Sequence, residues 1–135
     1  MVNTIVVGVD GSEDSRRAVD WAAHLAEETR ARVVAVHAVG LLEHERGDPS
    51  GAHLAPQLEA WTVALERLAP ERVERRLVGG EPVGAIATVV TECGPDAIVV
   101  VGTRGAGARG AARLGSTSLR LAETCRCPLV IVPGG

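Results

Sequence analysis

Two hydrophobic periods take turns along the chain. Short apolar runs rich in β-branched residues occur at 4–9, 32–39, 73–78, 97–101 and 129–132, with the length and composition of buried strands. Between them, apolar positions recur at steps of three and four, as along one face of a helix. The first such stretch opens at Ser12, an N-cap residue type. Glu13 and Asp14 follow in the first turn, where the helix dipole favours acids, and Ala18, Ala22, Leu25 and Ala26 share one face. A second stretch carries Leu54, Leu58, Trp61, Leu65 and Leu68 as a single stripe. A third begins near Pro82, a residue suited to a first turn, turns Val83, Ile86, Ala87 and Val90 inward, and stops at Gly94 and Pro95. The fourth covers 116–123 and ends before Pro128.

Alternation of strand and helix predicts a parallel sheet covered on both faces, with right-handed crossovers. The expectation is one doubly wound α/β domain over 1–135, large enough to build a core without disulfide or metal staples. The one long connection, 40–53, reads as a lid or as a plain disordered insertion. There is no stretch of 18 uncharged apolar residues, and the opening MVNTIVVGVDGSEDS has no basic segment ahead of its apolar run. Neither a membrane span nor a signal peptide is therefore expected, and the expected compartment is the cytoplasm. Three cysteines, Cys93, Cys125 and Cys127, are an odd number for a disulfide framework, so free thiols are expected. Cys125 and Cys127 could serve as a redox or metal pair. With no second pair they fall short of a zinc site, and structural thiols are the simpler reading.

Composition removes several function classes. Two Trp with no Phe or Tyr leave almost nothing for bases to stack on, and a net charge of −3 supplies no field to gather a phosphate backbone, so no nucleic-acid partner is expected. All 14 basic residues are Arg. The absence of Lys excludes a lysine Schiff base, a Walker A lysine and the kinase strand lysine.

Candidate chemistry gathers at two strand ends, where open α/β sheets bind their ligands. The first strand runs out as Val9-Asp10-Gly11-Ser12, a carboxylate beside a glycine turn and a helix start. The fourth runs out as GTRGAGARGAARLGSTS, with five Gly in 17 positions. Glycine lets backbone N–H groups approach an anion closely, and the helix opening at Ser116, Thr117 and Ser118 offers further free N–H groups and a positive dipole end. Arg104, Arg109, Arg113 and Arg120 give the segment between Asp96 and Glu123 a charge of +4, which leaves −7 on the rest of the chain. Such a local concentration of cations suits a small anionic ligand; the plainer reading is a flexible loop with solvated arginines.

Three phosphate motifs can be read here. Gly105, Gly107 and Gly110 spell G-x-G-x-x-G, but no acid closes the following strand, and 110–116 approximates a P-loop with Ser116 where lysine belongs. The third, Gly102-x2-Gly105-x9-Gly115-Ser116, resembles the G-x2-G-x9-G-[ST] nucleotide-binding motif of the universal stress protein family. The resemblance extends over essentially the whole chain through IVVGVDGSEDS, GEPVGAI, DAIVVVGTRG and CPLVIVP.

The resemblance implies an open five-stranded parallel sheet in the order 3-2-1-4-5 with four helices, Rossmann-like and of the adenine nucleotide alpha hydrolase-like type. It implies the ATP-binding subgroup, with ATP and Mg2+ as cofactors. Val9 and Asp10 match the segment that meets ribose and adenine, with Asp10 near hydroxyls or the divalent ion as the metal ligand. Gly102, Gly105, Gly115 and Ser116 match the phosphate cradle, which Thr117 follows, and Thr103 and Arg104 fill the variable pair inside the motif. Val36 and Ala38, at the end of the second strand, would lie against adenine, in a pocket walled by aliphatic side chains. The family's leucine run between the second and third Gly is replaced here by AGARGAARL, which suggests phosphate contacts for Arg109 and Arg113. The last strand, Leu129, Val130, Ile131 and Val132, pairs across a homodimer axis in the family; a strand covered within a monomer is the alternative.

A nucleotide-dependent regulatory module for stress responses, acting through an unknown protein partner, is the function this implies. A slow ATPase or phosphotransferase and a nucleotide-free dimeric interaction scaffold are the alternatives. Robust catalysis is not expected, because the chain has no Lys, one candidate metal carboxylate and no clear base to activate water. His37 reads as a nucleotide contact or as a packed or hydrogen-bonded histidine, and Trp61 on its apolar stripe is expected in the core rather than under adenine.

Overall fold

The runs at 4–9 and 97–101 form the middle of the sheet. The computed structural model describes residues 2–40, 51–104 and 114–134. In it β1 (Thr4–Gly8), β2 (Arg32–Val39), β3 (Val73–Gly79), β4 (Ala97–Gly102) and β5 (Leu129–Val132) form one sheet in the order β3-β2-β1-β4-β5. Every pairing is parallel. Val6, for example, stands beside Val34 on one side and Val99 on the other. Four α-helices occur among the described residues: α1 (Glu13–Thr29), α2 (Ala55–Trp61), α3 (Pro82–Cys93) and α4 (Ser116–Thr124).

Because successive side chains on a strand point to opposite faces, each central strand feeds two cores. Ile5, Val7, Val33, Ala35, Ile98 and Val100 pack with Ala18, Val19 and Ala22 of α1. Val6, Val34, Val36, Val99 and Val101 pack with Val83, Ile86 and Val89 of α3 and Leu121 of α4. Burial on both faces is why these strands are apolar without interruption.

The start of α1 follows the pattern. Ser12 is extended, its Oγ accepts the Ser15 N–H at 3.1 Å, and Glu13 and Asp14 occupy the first turn. The helix face of α3 is shifted from expectation: Ala85 and Val89 are buried with Val83 and Ile86, Val90 is half-buried, and Ala87 is exposed. Val83, Ile86 and Val89 recur at steps of three with Ala85 beside them, the narrow face of a helix pressed onto a sheet, whereas the expected set included one position too far round.

The larger departure is the stripe from Leu54 to Leu68, which is not one helix. A 3-10 turn at Ala52–Leu54 leads into α2, and two further 3-10 segments, Val63–Arg67 and Pro70–Arg72, follow it. The break is at Thr62. Its buried hydroxyl donates to the Leu58 carbonyl at 2.7 Å and accepts from Arg75 Nε of β3 at 2.7 Å, while Arg75 Nη2 reaches the Thr62 carbonyl at 3.3 Å. A carbonyl engaged by a guanidinium from the sheet, beside a threonine bonding back to its preceding turn, favours the tighter 3-10 path. Leu58, Leu65 and Leu68 still reach the core. Most of the connection expected at 40–53 lies outside the described residues. Its end is Gly51, in the left-handed region at φ 69°, and the 3-10 turn carrying His53.

Candidate functional site

The chain lays β1, β2 and β3 outward in one direction, then crosses to place β4 and β5 on the other side of β1. Connections therefore leave the carboxyl ends of β1 and β4 in opposite directions, which opens a crevice there. A cleft, partly open to solvent, occupies this position.

The exit of β1 forms one wall, with Gly8, Val9 and Asp10. Asp10 is held by a local turn: its Oδ1 accepts the Ser12 N–H at 2.9 Å and the Ser12 hydroxyl at 2.6 Å. Buried Ser15 lies behind it, donating to the Ser12 carbonyl at 3.1 Å and accepting the Asp10 N–H at 3.4 Å. Between Asp10 and Ser12, Gly11 adopts φ +84°, and a Cβ there would stand 2.7 Å from the Trp61 ring. The conformation and the close approach both call for glycine.

The end of β2 supplies the second wall, Val36, His37 and Ala38. His37 Nδ1 lies 2.8 Å from the Val9 carbonyl, an acceptor only, so the ring donates from Nδ1. Trp61 meets His37 edge to face, with centroids 5.2 Å apart at 71°. Half-buried Trp61 also packs against the α1-side core, as its place on the apolar stripe suggested. His37 is hydrogen-bonded and packed, as the plainer reading had it, and it also lines the cleft.

The exit of β4 and the start of α4 complete the site. Gly102, Arg104, Thr117 and Ser118 line it, with Val101, Ile86, Pro82 and Ser15. Gly115 N–H donates to the Thr103 carbonyl at 2.8 Å and closes the base of the glycine-rich loop, while buried Ser118 donates to the Gly102 carbonyl at 2.7 Å. Gly115 and Ser116 open α4 immediately before the lining residues. Thr103 turns its hydroxyl away to β5, donating to the Val132 carbonyl at 2.8 Å and accepting the Gly134 N–H at 3.2 Å. Gly105, Arg109 and Arg113 lie outside the described residues.

Of the residues singled out in the sequence, Val9, Asp10, Val36, Ala38, Gly102, Arg104 and Thr117 meet at one cleft. Asp14 is the main residue that sequence reasoning missed. Its Oδ2 accepts the Arg104 N–H at 3.0 Å, its Oδ1 accepts from Arg17 Nη1 at 3.2 Å, and its backbone lies against Gly102. Its only sequence signal, an acid in a first turn, is fully accounted for by the helix dipole. Ser15 was equally silent.

The model of the universal stress protein family matches residues 1–133. The chain belongs to the universal stress protein family. It is 34% identical over 137 residues to the Thermus aquaticus universal stress protein in QAH/OAS sulfhydrylase 3′region, covering 98% of this chain and 99% of that one. Universal stress protein YxiE of Bacillus subtilis is 29% identical over 148 residues, at 98% and 99% coverage. Among solved structures, a universal stress protein in complex with cAMP superposes with a TM-score of 0.77 at 27% identity, covering 96% of each chain. The universal stress protein UspA from Lactobacillus plantarum, at 18% identity and a TM-score of 0.81, shares the fold over 96% of this chain and 97% of its own. The five-stranded order that the resemblance implied is the order observed. No helix among the described residues is long and apolar enough to cross a membrane.

Proposed function

We propose that this universal stress protein binds ATP in the cleft between the β1 exit and the β4–α4 loop, and acts as a nucleotide-dependent regulatory module of a stress response. The observation that carries the reading is the start of α4. Its N-cap is Gly115, which has no side chain to accept from the first-turn N–H groups, whereas α1 is capped by Ser12 and α3 by Glu81. Thr117 and Ser118 of that uncapped turn line the cleft beside Arg104, a favourable position for an anion. Aliphatic Val9 and Val36 offer an apolar wall for a purine. The relative in complex with cAMP supports an adenine nucleotide as the ligand class.

The residues also suit Mg2+ delivered with the nucleotide. Among the described residues no cluster of three His, Cys, Asp or Glu side chains comes together. Asp10 lines the cleft and is the candidate carboxylate, and the remaining ligands would come from phosphate oxygens and water, the usual arrangement for Mg2+. Protein purified without added nucleotide, denatured and analysed by mass spectrometry should release ATP. In titrations of nucleotide-free protein, Asp10→Ala should weaken Mg-ATP binding about tenfold, or roughly 1.4 kcal/mol. The absence of both a released nucleotide and a titratable affinity refutes the reading.

The free edge of β5 supports a homodimer. Leu129, Val130 and Ile131 are only half-buried in the isolated chain, and β5 pairs with β4 along one side alone among the described residues. An open apolar edge invites pairing with another strand. Sedimentation equilibrium at micromolar concentration should give twice the chain mass; a monomer mass counts against pairing through residues 129–132.

A further inference from the structure

All three thiols pack against the core under α3 and α4, and none lines the cleft. Cys125 ends α4, its N–H closing the helix on the Leu121 carbonyl at 2.8 Å. Cys127 precedes Pro128, whose carbonyl accepts the Val99 N–H at 3.0 Å where β5 starts to pair with β4. Only Arg126 separates the two cysteines, and their half-buried sulfurs approach to 3.4 Å without being bonded. Cys93, at the end of α3, is a free thiol too, but the sulfur–sulfur contact joins Cys125 and Cys127.

We propose that Cys125 and Cys127 form a two-electron oxidation site that closes to an intrachain disulfide when hydrogen peroxide reaches the turn between α4 and β5. One thiol gives its proton to solvent and its thiolate attacks a peroxide oxygen; the O–O bond breaks, the sulfur becomes a sulfenic acid, and the other oxygen leaves as hydroxide, which takes a proton back from solvent to form water. The second sulfur then attacks the sulfenic sulfur, the S–O bond breaks, and the departing hydroxide takes the second thiol's proton to form a second water. Each sulfur gives up one electron, and the peroxide is reduced to two waters. Cys127 suits the second role. Burial, and then its hydrogen bond with Cys125, push its thiol up to about 11, so it retains at neutral pH the proton that the departing hydroxide needs.

Such a bridge is a reversible modification rather than a staple. The entropic stabilisation from a disulfide grows with the loop it closes, and this loop is about as short as a loop can be. Bridges that are strained or accessible are the readily reduced, regulatory kind. Here the bridge would tie the C-cap residue of α4 to the residue before Pro128, and so couple the helix that opens at the cleft to the edge strand β5.

Trypsin provides a direct test, because it cuts after Arg120 and after Arg126, between the two cysteines. The folded full-length protein is treated with hydrogen peroxide, denatured, alkylated with iodoacetamide and digested without reductant. The expected product is residues 121–126 joined to residues 127–135 by a disulfide in a chain that runs as a monomer on a non-reducing denaturing gel, with alkylatable thiols falling from three to one. Dithiothreitol should restore all three. Cys93→Ser should still yield the joined peptides, whereas Cys125→Ser and Cys127→Ser should each leave both remaining thiols alkylatable. Three results would overturn the proposal: both thiols remaining alkylatable, one of them advancing alone to a sulfinic acid, or a bridge between two chains.

Discussion

Gly102→Val should lower the stability of the fold by about 3 kcal/mol or more, the upper end of overpacking effects, and lower the melting temperature by about 10 °C. A Cβ at this position would stand 2.5 Å from the Asp14 carbonyl oxygen, 2.6 Å from its carbon and 2.8 Å from its Cβ. These atoms belong to the first turn of a helix and cannot swing aside like the tip of a flexible side chain. Either α1 lifts away from the sheet and loosens the contacts of Ala18, Val19 and Ala22, or the end of β4 is displaced. Both outcomes break the bond from Arg104 N–H to Asp14 and shift the base of the glycine-rich loop. Thermal and urea unfolding followed by circular dichroism would measure the loss. A wild-type midpoint would mean that α1 does not seat on Gly102. The first glycine of the motif thus has a packing duty independent of any ligand, and loss of binding in this variant alone would not establish contact with phosphate.

Ala38→Trp should have the opposite profile: nucleotide affinity reduced by about 100-fold or more, roughly 2.7 kcal/mol, with a change in stability within about 1 kcal/mol. Ala38 is half-buried, pairs with Val78 of β3 and faces the cleft from the end of β2, on the same side as Val36. An indole there would occupy the space offered to the base while leaving Asp10, Gly102 and the start of α4 in place. Isothermal titration with ATP, alongside an unfolding curve, separates occlusion from misfolding. Wild-type affinity in a folded Ala38→Trp protein would remove adenine from the end of β2 and require the ligand to be placed elsewhere in the cleft.

The strands were legible because each carries its own evidence. An apolar run bounded by a glycine or an acid reads as a strand whatever its neighbours are, and all five runs became strands; β1, β2 and β4 are the buried ones, whereas β3, with Glu74, Arg75 and Arg76, has no buried residue. The start of α1 was equally local, since Ser12 needs only Ser15 to act as a cap. The stripe from Leu54 to Leu68 shows where this stops. Its spacing is good for a helix, yet Arg75, 13 residues beyond Thr62, engages the Thr62 hydroxyl and carbonyl and breaks it. Nothing in the spacing of the leucines could report that guanidinium.

The candidate site divides along the same line. Asp10 and the glycine spacing from Gly102 to Ser116 could be found by reading along the chain, because turns and helix starts need particular residues at particular offsets. Facing those two strand ends toward each other depended on the order of strands in the sheet, as did the inclusion of Val36 and Ala38. Asp14 shows the limit most sharply: its carboxylate meets the Arg104 N–H across 90 residues, and its backbone excludes any side chain at Gly102. The donor proton on His37 Nδ1 was likewise assigned by the Val9 carbonyl, 28 residues away. Periodicity, caps and loop glycines are properties of neighbours in the chain, so the residues carried the elements and the address of the cleft unaided. Contacts between distant residues depend on the register in which strands pair and helices seat, and there the folded molecule supplied the answer.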